Sequence, residues 1–330
     1  MTESDTKLTN IRFDNEVVPF DLAIKGAWID KCDPALLPAV EKDYDAIRAM
    51  HFGNAVPAAD GEQKLYVATA GSPCSGKSTE LDFLLEETDD PRIQTAVLVD
   101  PDRFVMEFMN YTYRPLMGAG EIAKRGFVEA AKNGYETARP GSNIISNLLF
   151  NEAFDAGYHI VHGTTMTSPF VGGMLDTLAA NGYQRRLYLC YSEEEVRADA
   201  GCKRLEQEGL AHGHPDHEDF AAKGKLFPQR MAEYFKHGDE LVLMWKDDVA
   251  QRAVRAAEYT DGRLHIVDER AFTAFKDRYD SQRATLAAED QITLPAWDEM
   301  EATYAARFAP DQGADNTATP DAPHSGPEPS

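Results

Sequence analysis

The chain has 330 residues, enough for one large α/β domain or two ordinary ones, and 43% of them are hydrophobic, so a sizeable core can form. Asp and Glu number 56 against 33 Lys and Arg, a formal net charge of -23. A surface this acidic repels nucleic-acid phosphates and anionic membranes, which argues against a long nucleic acid or a membrane as partner, so any nucleotide ligand needs a local basic pocket, with a metal ion.

The N-terminus, MTESDTKLTN, has no basic start and no apolar run, so no signal peptide is expected. No apolar stretch approaches the roughly 20 residues of a membrane span. The four cysteines, Cys32, Cys74, Cys190 and Cys202, make no CxxC pair and no disulfide-like spacing. Together these features point to a reducing, cytoplasmic setting.

Residues 1–63 read as an N-terminal helical extension. Asp33 and Pro34 form a capping acid followed by a first-turn proline. Leu36, Leu37, Val40, Tyr44, Ile47 and Met50 then recur at helical spacing, predicting a helix packed on the core. A segment from Ala55 links it to the main domain, expected over 64–308.

From Lys64 short apolar runs alternate with helical patterns. Strands are predicted at Leu65–Ala70, Thr95–Asp100, Tyr158–Gly163, Arg186–Tyr191 and Leu241–Trp245. Their continuous apolarity suits strands buried on both faces, as in a parallel sheet. Between them, Ile144, Ile145, Leu148 and Leu149 mark one helix. Ser192 and Glu195 form the S-x-x-E capping box of another. Tyr259–Asp268 predicts a hairpin turning at Asp261 and Gly262, and a last helix is expected over Ala271–Leu286. The fold class predicted is α/β: a doubly wound, mainly parallel sheet flanked by helices, of the P-loop kinase type. The tail 309–330 has no large apolar residue and is expected to be disordered.

The segment TAGSPCSGKSTE carries the chemistry. Gly71, Ser72, Pro73, Cys74, Ser75, Gly76, Lys77 and Ser78 satisfy G-x-x-x-x-G-K-[ST] in full, with a strand before them and a helix, from Thr79 onward, behind. The glycines let backbone N–H groups point at phosphate oxygens, and the helix adds its positive end. Lys77 would reach the β- and γ-phosphates of ATP or GTP, and Ser78 would hold Mg²⁺. A thiol at a helix start can be made reactive, but Cys74 is read as filling a variable loop position.

In VLVDPDRF, Asp100 and Asp102 follow the second strand, at the sheet edge where α/β ligands bind. Phosphoryl transfer to an alcohol needs an acceptor for the hydroxyl proton near Mg²⁺ and the γ-phosphate. One carboxylate of the pair can serve while the other orients metal or waters. Either aspartate can also cap the helix that follows.

GSPCSGKST, LVDPDRF, GYHIVHGTT and LYLCYSEEEVRADAGCKRLE, taken together and in this order, resemble the zeta toxin family of P-loop kinases, the toxin partners in bacterial toxin–antitoxin pairs. The resemblance covers roughly 65–204. It implies transfer of a phosphoryl group from ATP or GTP to a sugar hydroxyl of UDP-N-acetylglucosamine, and an antitoxin as partner. It implies that Asp102 is the general base, that Lys77 is the motif lysine, and that Arg204, on the helix after the fourth strand, steadies the transferring phosphoryl group. The family's E-G-T segment is His162, Gly163 and Thr164 here, so His162 and Thr164, with Asp100, are expected to face the acceptor. Histidine in place of glutamate alters hydrogen bonding to the sugar, and its titration would make transfer vary with pH near neutrality. A second family arginine has no clear counterpart; Lys223, Lys225 and Arg230 are the candidates.

Arg197, seven residues before Arg204, is read as a surface ion-pair partner of Glu193 or Glu194. His212, His214 and His217 are read as part of a polar, lid-like loop in preference to a metal site. Two other readings stay open: a kinase acting on another small molecule or a nucleic-acid end, and an NTP-binding regulatory protein without efficient transfer.

Overall fold

The computed structural model describes residues 31–208 and 219–309. The three histidines of the predicted lid lie outside the described residues, as does all of the predicted tail except Ala309.

Seven strands form one sheet in the order β2-β3-β1-β4-β5-β6-β7. β1 (Lys64–Ala70), β2 (Val97–Val99), β3 (Ile160–His162), β4 (Tyr183–Ser192) and β5 (Glu240–Lys246) are mutually parallel. β6 (Val254–Thr260) and β7 (Arg263–Ile266) add on antiparallel at one edge. The chain leaves β1 for β2, returns to β3 beside β1, then crosses to β4 on the other side. The sheet is therefore the mainly parallel, doubly wound sheet expected, and its switch point is β1.

Alternation along β1 assigns its side chains to two cores. Tyr66, Ala68 and Ala70 enter the larger one. Leu65 and Val67 enter a smaller one with Leu81, Ile93, Val161, Tyr188 and Cys190. Helices must cover both faces to bury such a strand. The smaller face is covered by α2 (Lys77–Glu87). The larger is covered by α1 (Leu37–Gly53), α4 (Phe127–Asp155), α5 (Val171–Ala180), α7 (Asp219–His237), α8 (Glu269–Glu289) and α9 (Trp297–Ala306). Two further helices, α3 (Ala119–Arg125) and α6 (Glu194–Glu208), flank these.

α1 lays Leu37, Val40 and Ile47 into the larger core, while Met50 is exposed. Asp33 caps the turn that leads into it, accepting from Ala35 N at 2.9 Å. Gly141 of α4 lets Val40 approach: a Cβ there would meet Val40 Cγ2 at 2.8 Å.

The structure departs from expectation in five elements. α4 starts sixteen residues before Asn143 and runs through Pro140. Ala130, Ala131, Tyr135 and Ala138 are buried on that earlier stretch, so packing outweighs the hydrogen bond that proline forfeits. Strands β2 and β3 are only three residues long. Ser192 ends β4, and its hydroxyl is buried with no hydrogen-bond partner among the described residues; the capping box is not made, because β4 pairs with β5 as far as Ser192 and Lys246. Finally, α9 follows the predicted last helix. Trp297 packs against Phe235, Phe272, Phe275 and Tyr279. The hairpin turns where expected, with Asp261 at φ 52° and Gly262 at φ 75°, the left-handed pair of a tight hairpin turn.

Among the described residues no helix is long and apolar enough to cross a membrane.

Candidate active site

The strands β1, β2 and β3 all end on one rim of the sheet, and the segments that follow them line a cleft of about 860 Å³. This is the carboxyl edge at a switch point, where open α/β sheets bind ligands.

The loop after β1 forms one end of the cleft. It needs three residues with positive φ: Gly71 (150°), Cys74 (61°) and Gly76 (96°). A Cβ at Gly71 would fall on the Cys190 carbonyl beneath it, so the close approach of loop and sheet requires glycine. The Gly71 N–H donates to Thr165 O at 3.1 Å, fastening the loop to the segment after β3. Cys74, Gly76, Lys77, Ser78 and Thr79 face the cleft. The Lys77 ammonium donates to Ser72 O at 2.6 Å. Burial, then the cations Arg197 and Arg204, lowers the Lys77 pKa to about 8.

Burial raises the Cys74 pKa, and it outweighs Arg204, Lys77 and Arg197, which act the other way. Desolvation therefore works against a thiolate at this helix start.

After β2 the chain makes a single wide helical turn, Pro101–Val105. Asp100 caps it, its Oδ1 accepting from Asp102 N at 2.8 Å and Arg103 N at 2.9 Å. Burial and the neighbouring Asp102 push the Asp100 carboxyl up to about 6. Asp102, projected from the turn itself, is ion-paired with Arg139 of α4. Both aspartates line the cleft. Of the two, Asp100 is the one spent on capping.

His162 ends β3. Its Nδ1 lies 2.9 Å from the Tyr66 hydroxyl, and its ring packs on Tyr66 and Phe150. Burial alone lowers its pKa to about 4. The expectation that it titrates near neutrality is thus corrected: the ring is neutral throughout that range. Gly163 follows because a Cβ there would fall on the Asp100 carboxylate. The backbone of Thr164 is locked to Thr69, which donates to Thr164 O at 3.1 Å and accepts from Thr164 N at 3.2 Å. The Thr164 hydroxyl accepts from Met166 N at 3.2 Å, and the residue lines the cleft.

α6 presents Ala200, Lys203, Arg204 and Gln207 to the cleft at helical spacing. Arg204 shares the cleft with Asp100 and Lys77, and its charge lowers the pKa of both. Arg197 is not the surface ion-pair partner expected. It is buried, and it donates to Pro73 O at 2.9 Å and Phe220 O at 3.2 Å; Glu193 pairs with Arg278 instead. Of the three candidates for a second cation, Lys223 lines the cleft. Lys225 pairs with Asp290 and Glu289 on the surface, and Arg230 donates to Ser168 O behind the cleft wall.

Among the cleft residues that escaped the sequence reading, four lie on α4: Arg139, Asn143, Ser146 and Asn147. Asn143 Nδ2 and Ser146 Oγ are buried without a hydrogen-bond partner among the described residues. The signal was present. Polar residues at i, i+4, i+7 and i+8 form a stripe along a stretch that also carries Ile144, Ile145, Leu148 and Leu149.

The donors here suit Mg²⁺. Ser78, Asp100 and Asp102 offer hard oxygens within one cleft, and Mg²⁺ binds through one or two carboxylates plus substrate phosphates. Among the described residues no group of three or more His, Cys, Asp or Glu could hold a metal unaided.

No curated protein matches the sequence. Among solved structures, one from the PezAT chromosomal toxin–antitoxin system of Streptococcus pneumoniae is similar at 13% identity, covering 74% of this chain and 96% of that one, with a TM-score of 0.47. The AvrRxo1-ORF1:-ORF2 complex is similar at 14% identity, covering 85% and 93%, with a TM-score of 0.49. The same complex with ATP is similar at 13% identity, covering 83% and 90%, also at 0.49. The zeta toxin family model matches residues 53–215, the stretch that holds the phosphate loop, both aspartates, the His162–Thr164 segment and Arg204. Over those residues, just under half of its length, this chain is similar to the zeta toxin family.

Proposed function

We propose that the protein is an NTP-dependent phosphotransferase that moves the γ-phosphate of ATP or GTP to a hydroxyl of a small molecule, with a nucleotide sugar related to UDP-N-acetylglucosamine as the acceptor class. The observation that carries this reading is the meeting of three groups in one cleft: the Lys77 loop, the Asp100–Asp102 pair and Arg204.

In this reading the loop from Gly71 to Thr79 cradles the phosphates, and the Lys77 ammonium leaves Ser72 O for the β- and γ-oxygens. Mg²⁺, held by Ser78 and reached by Asp100, would neutralise charge on the bridging phosphate oxygens. Asp102 takes the acceptor's hydroxyl proton, and its pairing with Arg139 holds the carboxylate in place. The guanidinium of Arg204 meets the negative charge that spreads over the transferring phosphoryl group. Asn143, Ser146, Asn147, Thr164 and neutral His162 form the acceptor wall, offering hydrogen bonds without added charge. The family relation supports an antitoxin protein as partner.

The test is a metabolite screen with γ-labelled ATP and Mg²⁺. Label should pass to a soluble hydroxyl compound, and Lys77→Ala should abolish the transfer with the fold intact. Lys77→Ala protein that transfers label at the native rate would overturn the reading. UDP-N-acetylglucosamine should be a poor acceptor that His162→Glu improves, because an ionised glutamate accepts two sugar hydroxyls where neutral histidine accepts one. Loss of transfer on His162→Glu would show instead that the histidine has taken over the glutamate's work.

A further inference from the structure

Arg197 is the least exposed cation among the described residues, at 2%, and the phosphoryl-transfer scheme above gives it no task. It does not line the cleft; it sits behind the phosphate loop. Its Nε donates to Pro73 O at 2.9 Å, inside the loop. Its Nη2 donates to Phe220 O at 3.2 Å, at the start of α7, and its guanidinium lies over the Phe220 ring at 4.5 Å. Gly224, one turn further along α7, leaves room for it: a Cβ there would come 2.8 Å from Nη1. A second link runs parallel, from the Ser72 hydroxyl to Lys223 O at 3.4 Å. Desolvating a guanidinium is costly, and it persists where its hydrogen bonds are specific.

The bond to Pro73 O has a geometric consequence. A trans peptide is planar, so its C=O and N–H point in opposite directions. Holding Pro73 O back towards Arg197 turns the Cys74 N–H the other way, into the cradle. Cys74 also sits at φ 61°, a region that costs a non-glycine residue energy and that the surroundings must enforce.

We infer that Arg197 is a positioning residue: it holds the Pro73–Cys74 peptide in its phosphate-facing orientation and ties that peptide to the first turns of α7. The inference rests on the nucleotide cradle proposed above, and extends it to a residue that touches neither nucleotide nor acceptor. The fork of the guanidinium is essential, because one side chain must reach Pro73 O and Phe220 O in different directions. An ammonium carries the charge without that fork.

The test measures affinity for a non-hydrolysable ATP analogue with Mg²⁺ in native, Arg197→Lys and Arg197→Ala proteins, with thermal melting alongside. Arg197→Lys should melt near the native temperature and bind about tenfold or more weakly, the scale of a lost charge-assisted hydrogen bond. Millimolar guanidinium should restore binding to Arg197→Ala and leave the native protein unchanged. If the alanine variant does not fold, the lysine variant decides. Native affinity in Arg197→Lys would overturn the inference, since charge alone would then suffice. Native protein that binds no ATP analogue would overturn the nucleotide reading first, and this inference with it, which is a distinct result.

Discussion

Asp100 and Asp102 are two residues apart and have different work because of what surrounds each. Asp100 is buried under two backbone N–H groups, while Asp102 meets a guanidinium from α4. Asp102→Asn should lower turnover at least about 10²-fold, the usual scale for a lost general base, with little change in nucleotide affinity. The reverse pattern, a crippled Asp100→Asn and a mild Asp102→Asn, would exchange the roles. The pH dependence of kcat/KM for NTP should be bell-shaped. Asp100 is raised to about 6, so its charge is present above that pH and activity is lost as pH falls through it. Lys77 is lowered to about 8, so its charge is present below that pH and NTP capture is lost as pH rises through it. His162, lowered to about 4, should contribute to neither limb. A His162→Gln profile whose limbs move would contradict this.

At the level of elements, the site depends on how closely β2 and β3 end together. Gly163 at the end of β3 donates to Val99 O of β2 at 2.7 Å and leaves no room for a Cβ beside Asp100. Gly163→Ala should therefore displace the Asp100 carboxylate and destabilise the fold by about 1–3 kcal/mol, the range for overpacking a tight site. Denaturant unfolding would show it as a lower midpoint with an unchanged slope. Unaltered stability would mean that Asp100 has freedom the structure does not display. α4 supplies the opposite wall, and its polar stripe is kept aimed at the cleft by the apolar faces on either side. Gly141 in mid-helix is tolerated because Val40 of α1 and Met109 pack directly on it.

For the whole molecule, the helix that precedes the family segment is part of the main core. Leu37, Val40 and Ile47 of α1 are buried against α4 and the sheet. Each contributes about 1.5–3 kcal/mol by burial. Their sum is comparable with the total stability of a domain, about 5–15 kcal/mol. A chain beginning at Lys64 should therefore fail to give a cooperative thermal transition, although it keeps every proposed catalytic residue. Circular dichroism melting of that truncated chain is the check, and a native-like transition would show α1 to be dispensable. α9 closes the other end in the same way, with Tyr304 donating to Asp239 O at 2.5 Å.

Local chemistry by itself determined much of this protein. A phosphate loop is legible because glycine, lysine and serine have to stand at set intervals between a strand and a helix. The parallel strands are legible because burial on both faces leaves a continuous apolar run. The hairpin is legible because Asp261 and Gly262 tolerate positive φ. What the tertiary structure decided are the properties that arise only when distant segments meet. Arg139 became the partner of Asp102 across 37 residues of sequence. Arg197 moved from an expected surface pair to the back of the phosphate loop, because α7 covers it. Cys74 and His162 carry ordinary reactive side chains in the sequence, but burial raises the pKa of one and lowers that of the other. Desolvation depends on everything packed around a group, and no short stretch of sequence contains that information.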